Sequence, residues 1–191
     1  MGTGLGGKHE MRSFFREIVI TIVLALGIFF LIQATLGSFI VVGISMEPSF
    51  YGGQRLLVNR VVYRLHEPER GDVIVFQPSE SQQLDYIKRI IALPGDTVEV
   101  KKEAVYVNGS KLDEPYIKSS PRYTTEPKII PANSYFVLGD NRNNSNDSHN
   151  GWVVQSEKIV GKVWLLIWPP GEWGIVPEYS LAEQLANYVN N

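Results

Sequence analysis

Hydrophobic and polar positions divide this chain into one unbroken apolar run and a long stretch of short alternating segments. The run Ile18-Val-Ile-Thr-Ile-Val-Leu-Ala-Leu-Gly-Ile-Phe-Phe-Leu-Ile32 carries no charge and continues uncharged to Gly37. A helix needs roughly 20 such residues to cross a bilayer core, so the pattern predicts a transmembrane anchor over 18–37 behind a short amino-terminal segment, 1–17. Lys8, Arg12 and Arg16 precede the run, and no Lys or Arg follows before Arg55. That asymmetry places the amino terminus in the cytoplasm and residues 38–191 outside, as a single-pass protein of the cell membrane. A cleaved secretory signal shares the basic start and apolar centre, but this run is long for one and no clean Ala-x-Ala pair follows it.

Beyond Gly37 the period shortens to two. Strands are predicted over Arg55–Tyr63, Asp72–Phe76, Asp85–Ala92, Thr97–Lys101, Ala104–Val107 and Ser134–Leu138, each bounded by turn residues. Asn108-Gly109 is a type I′ hairpin signal leading into Ser110-Lys-Leu112. Lys162–Trp168 is apolar but too short to span a membrane, and Pro169-Pro170 stops it, so it reads as a core strand. The segment 113–131 holds Pro115, Pro121, Pro127 and Pro131 and is expected to be a long loop or cap. Only the tail, 178–189, has helical spacing, with Leu181, Leu185 and Val189 recurring every four residues. The expected fold class is mainly β: an antiparallel, barrel-like sheet over 38–191 with one amino-terminal transmembrane helix and a smaller hairpin-and-loop cap near 97–133.

Charge and composition narrow the function. The 18 basic and 20 acidic residues leave a net charge of −2, with no basic excess to gather a phosphate backbone, so no nucleic-acid partner is expected. There is no cysteine, which excludes thiol catalysis, disulfides and thiolate zinc sites.

A serine hydroxyl is inert at neutral pH and needs a base, either His or a deprotonated Lys. Ser45 sits in Gly43-Ile-Ser-Met-Glu-Pro-Ser49, a small flexible stretch before a proline. The eight residues from Gly37 to Ser45 reach at most about 28 Å, which keeps this serine near the membrane face. An exposed loop serine is also ordinary polar surface. Lys88 shares one strand face with Tyr86, Ile90 and Ala92, while Arg89 shares the other with Ile87, Ile91 and Leu93. If the Lys88 face is buried, desolvation lowers the amine toward the range of a general base; if it is open, Lys88 is a plain surface lysine. Gly139-Asp-Asn-Arg-Asn-Asn-Ser-Asn-Asp-Ser-His149 reads as a loop bonded to its own backbone, or as a set of short polar groups that orient a base.

Four segments taken together are more specific. Ser45-Met-Glu-Pro-Ser49, Arg70-Gly-Asp-Val-Ile-Val-Phe76, Lys88-Arg-Ile-Ile-Ala-Leu-Pro-Gly-Asp96 and Gly139–Ser148 resemble, in order, the sequence boxes of type I signal peptidases. The resemblance covers the chain from Phe14 to Pro170. It implies a membrane-bound serine endopeptidase that removes signal peptides from secretory precursors, cutting after small residues, through an acyl-enzyme on a Ser-Lys dyad. Ser45 would be the nucleophile and Lys88 the general base, with Ser145 orienting the lysine. Asp140 and Asp147 would support the site, with Arg89 and Arg142 as ion-pair partners. Val41, Asp85 and Tyr86 would lie on the segments that grip the substrate as an added strand, and Met46 would shape the pocket. The lipid bilayer is the other implied partner, and no metal or cofactor is called for.

Three positions depart from the family pattern. Ser49 stands where Thr is frequent. Gly43 occupies a position where some members carry a serine that helps bind the oxyanion, which leaves more of that task to the Ser45 backbone amide. His149 replaces an arginine, making a pairing with Asp147 pH-dependent. A rival Ser-His-Asp mechanism would use His66 or His149; His66 lies in the polar loop Leu65-His-Glu-Pro-Glu69, and His9 falls on the cytoplasmic side. A Ser-Lys peptidase with another substrate and an inactive β-rich binding module are the remaining classes. Arg70-Gly-Asp72 is read as a turn entering a strand, and Asn108-Gly-Ser110 as the hairpin turn rather than a glycosylation site.

Overall fold

The computed structural model describes residues 6–78, 84–101, 103–179, 181 and 184. The chain divides into two compact units, up to Leu36 and from Gly37 onward.

The first unit is the helix α1, Gly6–Thr35, 30 residues long. Its stretch Phe14–Thr35, 22 residues, is long and apolar enough to cross a membrane, with its side chains facing outward all round. The two hydroxyls in this stretch are satisfied within the helix: Thr21 Oγ1 donates to Glu17 O and Thr35 Oγ1 to Leu31 O, each at 2.9 Å. The helix begins ahead of the stretch 18–37 read as the anchor and ends at Thr35, where Leu36 opens a strand.

The second unit holds the strands β1 Leu36–Ile40, β2 Arg55–Asn59, β3 Val73–Phe76, β4 Tyr86–Ala92, β5 Thr97–Lys101, β6 Ala104–Val107, β7 Ser110–Lys111, β8 Thr125–Ile129, β9 Ser134–Leu138, β10 Val154–Gln155, β11 Ile159–Trp168 and β12 Gly174–Ile175. An eight-stranded sheet runs β1-β2-β11-β3-β4-β9-β10, with β12 paired to β11; a second sheet runs β7-β6-β5-β8. The ladders are antiparallel, so the fold is mainly β as expected.

Period-two alternation explains why β3 is buried along its whole length: the sheet is covered on both faces. Val73 and Val75 pack with Leu56, Val58, Met46 and Val163, whereas Ile74 and Phe76 pack with Ile90, Tyr135 and Val137. On β9, Phe136 and Leu138 turn to a third cluster shared with Val98, Val100 and Val105 of the second sheet. β4 is likewise buried from Lys88 to Ala92, so both of its faces lie inside the protein.

Two expectations change. The strand from Arg55 ends at Asn59 rather than Tyr63, because the Asn59 carboxamide oxygen accepts from Val61 N at 3.0 Å and Val62 N at 3.1 Å and turns the chain into a 3-10 segment, Val62–Arg64. The proline-rich stretch 113–131 contains β8. Pro127 is tolerated there because β8 is an edge strand and its ladder with β5 shifts register between Val98 and Val100. The helical spacing over 178–189 falls almost wholly outside the described residues. The Asn108-Gly109 turn does form, with φ of 52° and 82°.

Candidate active site

The turn that carries Ser45 lies between β1 and β2 and is anchored by buried apolar side chains on either side. Val41, Met46 and Phe50 all enter the same core cluster, and Phe50 N donates to Met46 O at 2.9 Å. Ser45 itself is left half-buried on the wall of a cavity of about 410 Å³. Phe39, Val42, Leu56, Val75, Leu84 and Ile87 make most of that wall apolar, and Val41, Asp85, Tyr86 and Lys88 complete the lining. Met46 packs behind it, in the core with Val41 and Leu56, rather than on its surface. Asn146, absent from the sequence-based candidates, also faces the cavity.

Lys88 stands opposite Ile74 in the β3–β4 ladder, which puts it on the face of Tyr86, Phe76 and Ile90. It is 4% exposed. Its Nζ lies 2.8 Å from Ser45 Oγ and donates to Ile87 O at 2.8 Å, with the Tyr86 ring centroid 5.5 Å away. Burial is the largest influence on this amine and lowers it from its ordinary value of 10.5 to about 8, against the partial opposition of Asp147 and Asp140. An amine near 8 is neutral in about a tenth to a fifth of molecules at pH 7 to 7.4, hundreds of times more often than an ordinary lysine. Once neutral it keeps a proton for Ile87 O and can turn its lone pair to the Ser45 hydroxyl across the same 2.8 Å contact.

The adjacent Arg89 shows the contrasting solution. Its Nε and Nη2 meet Asp140 Oδ1 and Oδ2 at 3.0 and 2.7 Å, Nη1 donates to Gly71 O at 2.8 Å, and the guanidinium lies 4.1 Å from the Tyr116 ring centroid. Asp140 also accepts from Ser49 Oγ at 2.6 Å, so the hydroxyl that stands where Thr is frequent ties the Ser45 turn to the ion pair. Arg142 does not pair with Asp140 or Asp147. Its guanidinium takes Glu114 by two bonds, at 2.7 and 2.6 Å, because Glu114 comes from the segment after the second-sheet hairpin and fills the space beside it.

Asp147 is fully buried. Its Oδ2 accepts from Gly139 N at 2.9 Å, and its Oδ1 lies 2.7 Å from His149 Nδ1, whose ring stacks on Tyr123 with centroids 4.2 Å apart. Ser145 lies against Gly139, where an added Cβ would come within 2.3 Å of its Oγ and 2.5 Å of Ser45 O. Only glycine allows the loop after β9 to approach the Ser45 turn this closely. Among the described residues the Ser145 hydroxyl is buried without a hydrogen-bond partner. His66 is exposed, and neither it nor His149 hydrogen-bonds to Ser45. No cluster of His, Asp or Glu suited to a metal ion occurs among the described residues.

Sequence reasoning missed Asn141, Glu114 and Asn146. Asn141 and Asn146 lay inside a recognised polar loop, but nothing in the pattern separated them from their neighbours; Glu114 sits in a segment without periodicity.

The profile of the family described as "Signal peptidase, peptidase S26" matches residues 13–168. A protein of Leptolyngbya laminosa named "Signal peptidase I" is 41% identical over 175 residues, covering 86% of this chain and 84% of that one. "Signal peptidase IB" of Staphylococcus aureus is 37% identical over 186 residues, with 85% and 94% covered. "Probable signal peptidase I-2" of Synechocystis is 44% identical over 139 residues; the match covers 70% of this chain and 64% of that protein's length.

Proposed function

The chain belongs to the signal peptidase family, peptidase S26, a family of serine peptidases, and from that premise we propose that a Ser45–Lys88 dyad performs its hydrolysis. As a type I signal peptidase it acts on the signal peptides of secretory precursors. The observation that carries the dyad is the 2.8 Å contact between a buried amine and a hydroxyl on a cavity wall.

The neutral Lys88 amine takes the Ser45 proton as Oγ attacks the scissile carbonyl carbon. A C–O bond forms, and the carbonyl oxygen becomes an oxyanion. As the C–N bond breaks, Lys88 returns the proton to the departing amine, leaving an acyl-Ser45 ester. Water then attacks the ester, Lys88 takes its proton, and Ser45 is released with that proton restored. Val41 on one side, and Asp85 and Tyr86 on the other, line the cavity and would hold the residues before the cut as an added strand. The mostly apolar cavity suits the small apolar side chains before a signal-peptide cleavage site.

Ser145 is the orienting group in this scheme. The structure shows no hydrogen bond between it and Lys88: Lys88 Nζ meets Ser45 Oγ and Ile87 O, and the Ser145 hydroxyl has no partner among the described residues, so it would have to turn to the ammonium when Lys88 is protonated. The helix Phe14–Thr35 anchors the protein in the membrane, and the basic residues before it hold its amino terminus in the cytoplasm. Eight residues from Gly37 then keep Ser45 near the outer face, where a signal peptide's cleavage site emerges. Cleavage of a secretory precursor by wild type, Ser45→Ala, Lys88→Ala and His149→Ala tests the scheme. The first two substitutions abolish turnover and the third retains it; a Lys88→Ala enzyme with wild-type rate contradicts the dyad.

A further inference from the structure

Asn141 is 2% exposed and touches the nucleophile turn at two consecutive carbonyls. Its backbone N–H donates to Ser45 O at 3.0 Å, and its side-chain Nδ2 donates to Ile44 O at 3.0 Å. Asn144 Nδ2 donates to Asn141 Oδ1 at 3.2 Å, which fixes the end of the carboxamide that faces Ile44. Glu47 N supplies Ile44 O with a second bond at 3.2 Å.

The Ile44 C=O and the Ser45 N–H belong to one trans peptide plane and point in opposite directions, so holding the first aims the second. The Ser45 N–H has no protein partner among the described residues, and Ser45 lines the catalytic cavity. With glycine at position 43, no serine hydroxyl stands there to share the load. We propose that Asn141 is a positioning residue for the oxyanion: by holding Ile44 O it aims the Ser45 N–H at the oxygen that becomes negative during acylation. This rests on Ser45 as the nucleophile.

Matched peptide esters that differ only in oxygen or sulfur at the scissile carbonyl test the inference, because sulfur is a weak hydrogen-bond acceptor. Asn141→Ala keeps the backbone bond to Ser45 O and removes only the carboxamide. It lowers kcat on the oxygen ester by about 10- to 100-fold with KM little changed, and leaves the sulfur ester near its wild-type rate. The preference for oxygen over sulfur then collapses. Asn144→Ala, which frees the carboxamide, moves the preference in the same direction by less, and it carries the test should Asn141→Ala fail to fold. Equal losses on both esters, an unchanged oxygen-ester rate, or a loss confined to KM overturns the proposal. Turnover of either ester by Ser45→Ala removes the nucleophile reading itself, a separate outcome.

Discussion

Lys88 and Arg89 are consecutive buried cations on one strand, and they solve burial in opposite ways. Arg89 is neutralised by Asp140 in a paired, fully bonded geometry, whereas Lys88 has no carboxylate hydrogen-bond partner among the described residues and faces Ser45 instead. A guanidinium cannot be deprotonated in a protein and must be paired; an amine can shed its charge. Period two separates the two side chains onto opposite faces, so Asp140, which bonds Arg89, opposes the desolvation of Lys88 only in part.

The first prediction concerns rate against pH. With Lys88 lowered to about 8, kcat/KM rises as pH increases through about 8, because only the neutral amine can take the Ser45 proton. Initial rates between pH 6 and 10 on a short precursor peptide measure this. A rising limb centred near 10.5 contradicts a desolvated base.

Stability carries the same shift with a defined sign. Between about 8 and 10.5 the unfolded chain binds the lysine proton and the folded chain does not, so wild-type stability rises with pH across that window. Below 8 the full penalty applies, about 3 kcal/mol. Lys88→Met is therefore inactive yet more stable than wild type at pH 7, with the gain fading toward pH 10.5. Denaturant unfolding at both pH values checks it, and a destabilised Lys88→Met at pH 7 opposes it.

The sequence made some of this legible and hid the rest for identifiable reasons. Thr97–Lys101, Ala104–Val107 and Ser134–Leu138 form where alternation and flanking turns placed them, because each segment packs in the period that its residues display. The edge strand Thr125–Ile129 was hidden by Pro127, whose missing N–H matters only in a central strand. Period two separated Lys88 from Arg89 but could not say which face was buried, since the answer, both, depends on three core clusters assembled from distant strands. The Arg142–Glu114 pair joins residues with no shared pattern, and only the folded chain brings them together.

Breaking the other cation has the opposite effect. Arg89→Met leaves Asp140 buried and uncompensated and destabilises the fold by about 3–5 kcal/mol. It also loosens Ser49 and with it the Ser45 turn. Thermal melting near neutral pH measures the loss; a melting temperature within a degree of wild type refutes it.

Ser145→Ala separates activity from stability. Removing a buried hydroxyl that has no partner is neutral or stabilising, so the melting point holds or rises. With Ser145 in the proposed orienting role, turnover falls by about 10- to 100-fold. Parallel melting and kcat measurements decide it, and loss of both together marks Ser145 as structural only.

Direct titration of the Lys88 side chain by NMR, with carbon-13 at the lysine ε position and Lys88→Met to assign the signal, observes the proposed base itself. A midpoint near 8 in the wild-type protein is the predicted result. A midpoint near 10.5, the ordinary value of a solvated lysine, would mean that the amine is charged whenever the enzyme works and cannot be the group that activates Ser45.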